Sequence, residues 1–141
     1  MKKLNKLNKE KVFGHYLMLD IYDCDPKTVG NIKKCYLYLD GLTEILKLKK
    51  LAPPFIVYTD EKNYPDKAGL SGWIPFINED NKSFSGASIH TLTPTNFISI
   101  DVYSCKDFDH KKIKDFTSKI FKPKKIEEQY IARGKGYLSS K

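Results

Sequence analysis

The sequence predicts an α+β domain, a two-layer sandwich of a mainly antiparallel sheet with two helices on one face. Three observations lead there. Apolar residues alternate with period two in several short segments that follow one another through the middle of the chain. Two other segments, one towards each end, repeat their apolar residues at helical spacing instead. Prolines, glycines and polar clusters separate these segments. The resulting order is β-α-β-β-β-β-α-β, and runs of consecutive strands favour antiparallel pairing over a βαβ architecture. The 141 residues suffice for one domain with a single core. Apolar residues at 40% and aromatics at 13% favour folding over disorder.

Residues 1–11 read as a basic lead-in, 12–137 as the domain and 138–141 as a tail. The first strand covers 12–22, where Phe13, His15, Leu17, Leu19 and Ile21 alternate with Gly14, Tyr16, Met18, Asp20 and Tyr22. Asp25 and Pro26 are an N-cap and a first-turn proline. Val29, Ile32, Cys35, Tyr36, Leu39, Leu42, Ile45 and Leu46 then predict one helix to about Lys49, with Gly41 a weak point inside it. Pro53 and Pro54 stop that helix, and 55–59 is a short strand. A polar loop leads to a strand over 70–77, where Pro75 implies an edge or a bulge. Residues 78–85 are polar and read as a loop before a short strand over 87–92. The next strand, 97–103, sets Ile98, Ile100 and Val102 on one face and Ser99 and Asp101 on the other. A second amphipathic helix, about 109–121, carries Ile113, Phe116 and Ile120 and ends before Pro123. The last strand is 124–132.

The formal charge of +8 raises the prior for a polyanion partner, but Arg133 is the single arginine. Arginine supplies the bidentate contacts typical of nucleic-acid sites, so the lysines read as solvated surface and a nucleic-acid partner is not expected. Apolar runs are too short to span a bilayer, no apolar segment follows the basic start, and a cytoplasmic location is expected. Cys24, Cys35 and Cys105 match no zinc spacing and read as reduced thiols, two of them buried and structural. Phe13, Phe55, Tyr58 and Trp73 read as core rather than as a ring-stacking ligand site.

Ser85, His90 and Cys105 draw attention as a hydroxyl, an imidazole and a thiol within twenty-one residues. Ser85-x-x-Ser88-Ile89-His90-Thr91 resembles the Ser-His-x-Ser-Ile-His-Thr processing motif of the prokaryotic S-adenosylmethionine decarboxylases. Phe13 to Asp25 resembles that family's opening strand and helix start. Gly69-Leu70-Ser71-Gly72 is similar to its Gly-X-Ser-Gly turn, and Ile100 to Cys105 to its strand ending in cysteine. Arg133-Gly134 also fits, so the resemblance spans roughly residues 12–137.

The resemblance implies a pyruvoyl-dependent lyase that cleaves itself between Phe84 and Ser85. The Ser85 hydroxyl would attack the Phe84 carbonyl to give an ester, and β-elimination and hydrolysis would leave a pyruvoyl group heading residues 85–141. His90 would be the processing base. The pyruvoyl group would take the substrate amine as a Schiff base and act as the electron sink in decarboxylation. Cys105 would then return a proton to the substrate carbon, and Ser71 would have a supporting role. The implied substrate is S-adenosylmethionine, the implied pathway polyamine (spermidine) synthesis, and the implied assembly a homodimer with sites near its interface.

This chain departs from the family pattern around the serine. Phe84 replaces a usual glutamate, Gly86 a usual histidine, and Leu92-Thr93-Pro94 a Trp-Pro-Glu whose acid holds the substrate ribose. About five extra residues lie between Gly72 and His90, which allows a second alignment with Asp80 in the serine's place. Ser85 is preferred because its offset from His90 is kept. The alternatives are a decarboxylase of another amino acid such as arginine, or an unprocessed, non-catalytic homologue that binds a ligand or a partner subunit.

Overall fold

The computed structural model describes residues 11–80 and 82–138. The expected lead-in over 1–11 therefore lies outside the described residues except for Lys11, and the expected tail except for Leu138. Among the described residues, seven strands form one sheet: β1 (Gly14–Tyr22), β2 (Lys49–Lys50), β3 (Phe55–Thr59), β4 (Gly69–Asn78), β5 (Ser83–Leu92), β6 (Phe97–Ser104) and β7 (Lys125–Arg133). Every pairing is antiparallel. The spatial order is β2-β4-β5-β6-β1-β7, with β3 also paired to β4. The helices are α1 (Pro26–Val29), α2 (Ile32–Leu46) and α3 (His110–Phe121).

The α+β class and the antiparallel sheet agree with the sequence reading, but the first helix does not run unbroken. It divides at Gly30 and Asn31, and each part has its own cap. Asp25 accepts the Lys27 N–H at 3.0 Å, and Asn31 accepts the Lys34 N–H at 3.0 Å. Two local caps satisfy amide groups that a continuous helix would have bonded internally. The helix also stops before Lys49, because Lys47 takes a left-handed conformation with φ of 53° and the chain turns into β2.

The core lies between the sheet and α2 with α3. Leu17, Leu19 and Ile21 of β1, Ile98, Ile100 and Val102 of β6, and Ala87 and Ile89 of β5 supply the sheet side. Cys35, Tyr38, Leu39, Leu42, Ile113 and Phe121 supply the helix side. Burying one such aliphatic side chain stabilises by about 1.5–3 kcal/mol. Tyr38 is fully buried because its hydroxyl has a partner, Thr117 Oγ1 at 2.8 Å. Gly41, the weak point in the sequence, has a packing role. A Cβ there would stand 2.6 Å from the ring of Phe116, so its absence lets α3 approach α2.

Pro75 sits where the outer edge of β4 passes from β3, whose first residue Phe55 is opposite Trp73, to β2, whose last residue Lys50 is opposite Phe76. A residue without an N–H is tolerated at such a gap. The expected loop over 78–85 is shorter than read, since β5 already begins at Ser83 and Ser85 pairs with Phe76. Backbone pairing to β4 holds this polar stretch extended although it lacks apolar alternation.

Among the described residues, no helix lies over the other face of the sheet. It carries Tyr16, Met18, Asp101, Tyr103, Ser88, His90 and Trp73, all at least partly exposed. Phe13, Phe55, Tyr58 and Trp73, read from sequence as core, are exposed instead. Phe55 and Trp73 face each other across β3 and β4, and they are 67% and 52% exposed.

Candidate active site

The antiparallel register of β5 and β6 brings the end of β6 beside Ser85. Ser85 belongs with Ala87 and Ile89 on the helix-covered side of β5 and is nearly buried. Its hydroxyl donates to Ser104 Oγ at 3.3 Å and accepts the Cys105 N–H at 3.3 Å. Cys105, half-buried, donates its thiol proton to the carbonyl of Phe84 at 3.3 Å. A single residue thus engages both the Ser85 hydroxyl and the carbonyl immediately before it. Burial first, then the neighbouring Cys105, raises the pKa of the Tyr103 hydroxyl.

His90 lies elsewhere. It is five residues beyond Ser85 on the same strand, on the open face, whereas Ser85 faces the helices. Five strand residues span about 16 Å, and an odd offset reverses the face. His90 Nδ1 is instead bonded to Ser71 Oγ at 3.0 Å, its partner across β4 and β5. The predicted residues therefore form two pairs, Ser85 with Cys105 and Ser71 with His90. Asp80, the other candidate for the serine position, is exposed in the β4–β5 turn, where its N–H is bonded to Asn78. The hydrogen bonds of Cys105 run to Ser85 and Phe84.

A hollow of about 440 Å³ opens on the helix-free face next to Ser85, lined among others by Tyr16, Trp73, Phe84, Asp101 and Tyr103. Asp101 is held at both oxygens, by the Tyr16 hydroxyl at 2.8 Å and the Ser88 hydroxyl at 3.2 Å. Burial, then the hydrogen bond and charge of Asp101, push the Tyr16 hydroxyl up to about 12, so it remains a donor at neutral pH. Aromatic faces beside a carboxylate suit a cationic ligand.

Tyr16, Asp101 and Ser104 are not marked as site residues by the sequence, and Trp73 reads there as core. The alternation of β6 carried part of the signal, since it sets Asp101 and Tyr103 on one face. Tyr16 and Trp73 reach the hollow only through strand order, which alternation does not encode. Cys24 and Cys35 are buried, and burial pushes both thiols up to about 12, in line with structural roles.

Comparison with known proteins places the chain in a family. Residues 15–134 match the family described as S-adenosylmethionine decarboxylase. The chain is 31% identical over 126 residues to an S-adenosylmethionine decarboxylase proenzyme of Clostridium botulinum (strain Langeland), covering 89% of this chain and 97% of the relative. It is 28% identical to the proenzyme of the same name from Sulfurihydrogenibium sp., covering 89% and 85% of the two chains. The fold resembles the crystal structure of the adenosylmethionine decarboxylase from Aquifex aeolicus VF5, with a TM-score of 0.68 at 22% identity, covering 88% of this chain and 92% of that one. The chain belongs to the S-adenosylmethionine decarboxylase family.

Proposed function

We propose that the chain is a self-cleaving, pyruvoyl-dependent decarboxylase that acts on S-adenosylmethionine and serves spermidine synthesis. The observation that carries this reading is the double engagement by Cys105, whose N–H meets Ser85 Oγ and whose thiol meets the Phe84 carbonyl, each at 3.3 Å. A hydroxyl beside a polarised carbonyl one residue back is what an ester-forming backbone cut requires. The residues present therefore fit a group made from Ser85, with the hollow opening beside it. Once formed, the pyruvoyl group supplies a carbonyl that binds an amine and withdraws the electrons left by departing CO₂. Cys105, half-buried, then holds the proton to be delivered.

The hollow supports the substrate class. S-adenosylmethionine carries a sulfonium cation, and Trp73, Phe84, Tyr16 and Tyr103 offer ring faces around the Asp101 carboxylate. The relatives are named as proenzymes, which supports a precursor that matures.

Ser71 and His90 enter as a pair on the open face. Within one chain His90 is too far from Ser85 to act as its base, so that role would fall to a second copy. An open face with exposed Phe55, Val57 and Trp73 supports packing of two copies through it, and we assign the protein a homodimer on that ground.

The test is the intact mass of purified protein. Cleavage yields two fragments divided between Phe84 and Ser85, and Ser85→Ala yields one species. A wild-type protein that stays at 16.3 kDa and is inert to carbonyl reagents removes the reading.

A further inference from the structure

We propose that Cys105 is a cradle for the carboxylate that self-cleavage leaves on Phe84, and that this carboxylate stays in the mature site and holds the thiol proton. The inference rests on the self-cleavage reading above and extends it to the fate of the cut end. Two oxygens are gathered at the bond to be cut, the Phe84 carbonyl oxygen and Ser85 Oγ. The Cys105 thiol donates to the first at 3.3 Å, and the Cys105 N–H donates to the second at 3.3 Å. These same two oxygens become the carboxylate of Phe84 when the chain is cut.

The atoms can be followed through the cut. The C–N bond between Phe84 and Ser85 is exchanged for a bond from Ser85 Oγ to the Phe84 carbon, and the hydroxyl proton moves to the Ser85 nitrogen. A base, the His90 imidazole of a second copy, then takes the proton from the Ser85 Cα. The electron pair of that C–H bond forms the Cα–Cβ double bond, and the Cβ–Oγ bond breaks. Its pair leaves with Oγ, so Phe84 ends in a carboxylate. Water afterwards replaces the nitrogen of residue 85 with oxygen, releases ammonia and does not touch Phe84. Negative charge therefore develops on two oxygens that a thiol and an amide already face, and donors placed in that way favour departure of the leaving group.

The cut end is tethered. Ser83 and Phe84 pair with Asn78 and Ile77 of β4, and all four residues belong to the leading fragment. That hairpin keeps the new carboxylate beside Cys105, which belongs to the trailing fragment. A like charge at this distance opposes loss of the thiol proton. At 3.3 Å the effect is about one pH unit even with the screening of bulk water. The uncut chain has a neutral carbonyl in the same place. The other titratable groups around Cys105 are the Tyr103 hydroxyl with Arg133 near it, Lys106 and Asp107 next in the chain, and His15 opposite Ser104. All of them are the same in cut and uncut protein, so comparing the two isolates the charge on Phe84.

The experiment reads the contact and the charge separately, on the full chain as synthesised. Of the eight phenylalanines, only Phe84 would end in a carboxylate, so protein labelled with ¹³C at the phenylalanine carbonyl gives a single carboxylate resonance. That resonance is expected to move with pH as the thiol ionises. The step is expected to vanish in Cys105→Ser, which keeps a donor but does not ionise in that range. The second reading is alkylation of Cys105 by iodoacetamide across pH, assigned by peptide mass. The pH of half-maximal rate is expected to be higher by at least about one unit in mature wild type than in uncut Ser85→Ala. Midpoints are compared rather than rates, because cutting also changes access to the thiol. If Cys105→Ser does not cut, the alkylation midpoints decide. Equal midpoints, or a carboxylate resonance that does not respond to Cys105, overturn the cradle and leave self-cleavage in place. The absence of any carboxylate resonance overturns both.

Discussion

Cys105 is where the residue-scale argument can be tested most directly. Its thiol is the donor to the Phe84 carbonyl, so Cys105→Ala removes a hydrogen bond to the atom that gains charge as the ester forms. The expected result is slower cleavage in a pulse assay, and loss of at least about 100-fold in kcat for any cleaved enzyme, the scale of a lost general acid. Trp73 tests substrate binding separately. Trp73→Ala is expected to raise KM by about tenfold with a smaller change in kcat, which corresponds to about 1–2 kcal/mol of cation–π attraction. An unchanged KM would show that the hollow is not where the sulfonium sits. The sequence made Ser85, His90, Cys105 and Ser71 visible as residue types in a familiar order, and it also contained a geometric warning. Ser85 and His90 differ by an odd number, so in a strand they must point apart. Composition hides it, because 78–85 reads as a loop and only pairing with β4 holds Ser83 to Ser85 as strand.

The helices show how far periodicity reaches. α3 was legible nearly to the residue, because Asp109 caps it by accepting the Lys112 N–H at 3.1 Å and Ile113, Phe116 and Ile120 mark one stripe. Asp109→Ala is expected to cost about 1 kcal/mol, read as a lower urea midpoint with an unchanged m-value. The division of α1 from α2 was not legible, since apolar spacing continues through Gly30 and Asn31 and only the Asn31 cap ends one helix and starts the next. Gly41 was legible as an oddity but not as a reason, because its reason is the Phe116 ring on another helix. Gly41→Ala places a methyl 2.6 Å from that ring, and the cost is expected at about 1–3 kcal/mol in the same urea assay. A neutral Gly41→Ala would mean that α2 and α3 can separate without loss. The exposed aromatics mark the limit of composition. Phe55 and Trp73 look like core residues in any linear reading, and only the absence of a helix over that face leaves them uncovered.

At the scale of the whole molecule, buried acids set an alkaline limit to stability. Burial raises the Cys35 thiol from its usual 9.0 to about 12, and burial with the Asp23 charge does the same for Cys24. Between those values the unfolded chain has released protons that the folded chain keeps, so stability is complete below pH 9 and falls as pH rises towards 12. Urea titrations at rising alkaline pH should show this fall, with a shallower slope in Cys35→Ala. A flat profile would mean that the thiols are not shielded as described. The sheet order has a further consequence for a chain cut between Phe84 and Ser85. The leading fragment would own β1, β2, β3 and β4, and the trailing one nearly all of β5 with β6 and β7. Read across β4-β5-β6-β1-β7, ownership alternates: leading, trailing, trailing, leading, trailing. β1 would be clasped on both edges by the other fragment, so the pieces would be interlaced rather than side by side. They should migrate as one particle until denatured, and their reassembly would then be a bimolecular event that dilution defeats. Such a protein folds once as a single chain and is afterwards kept together by the weave of its sheet.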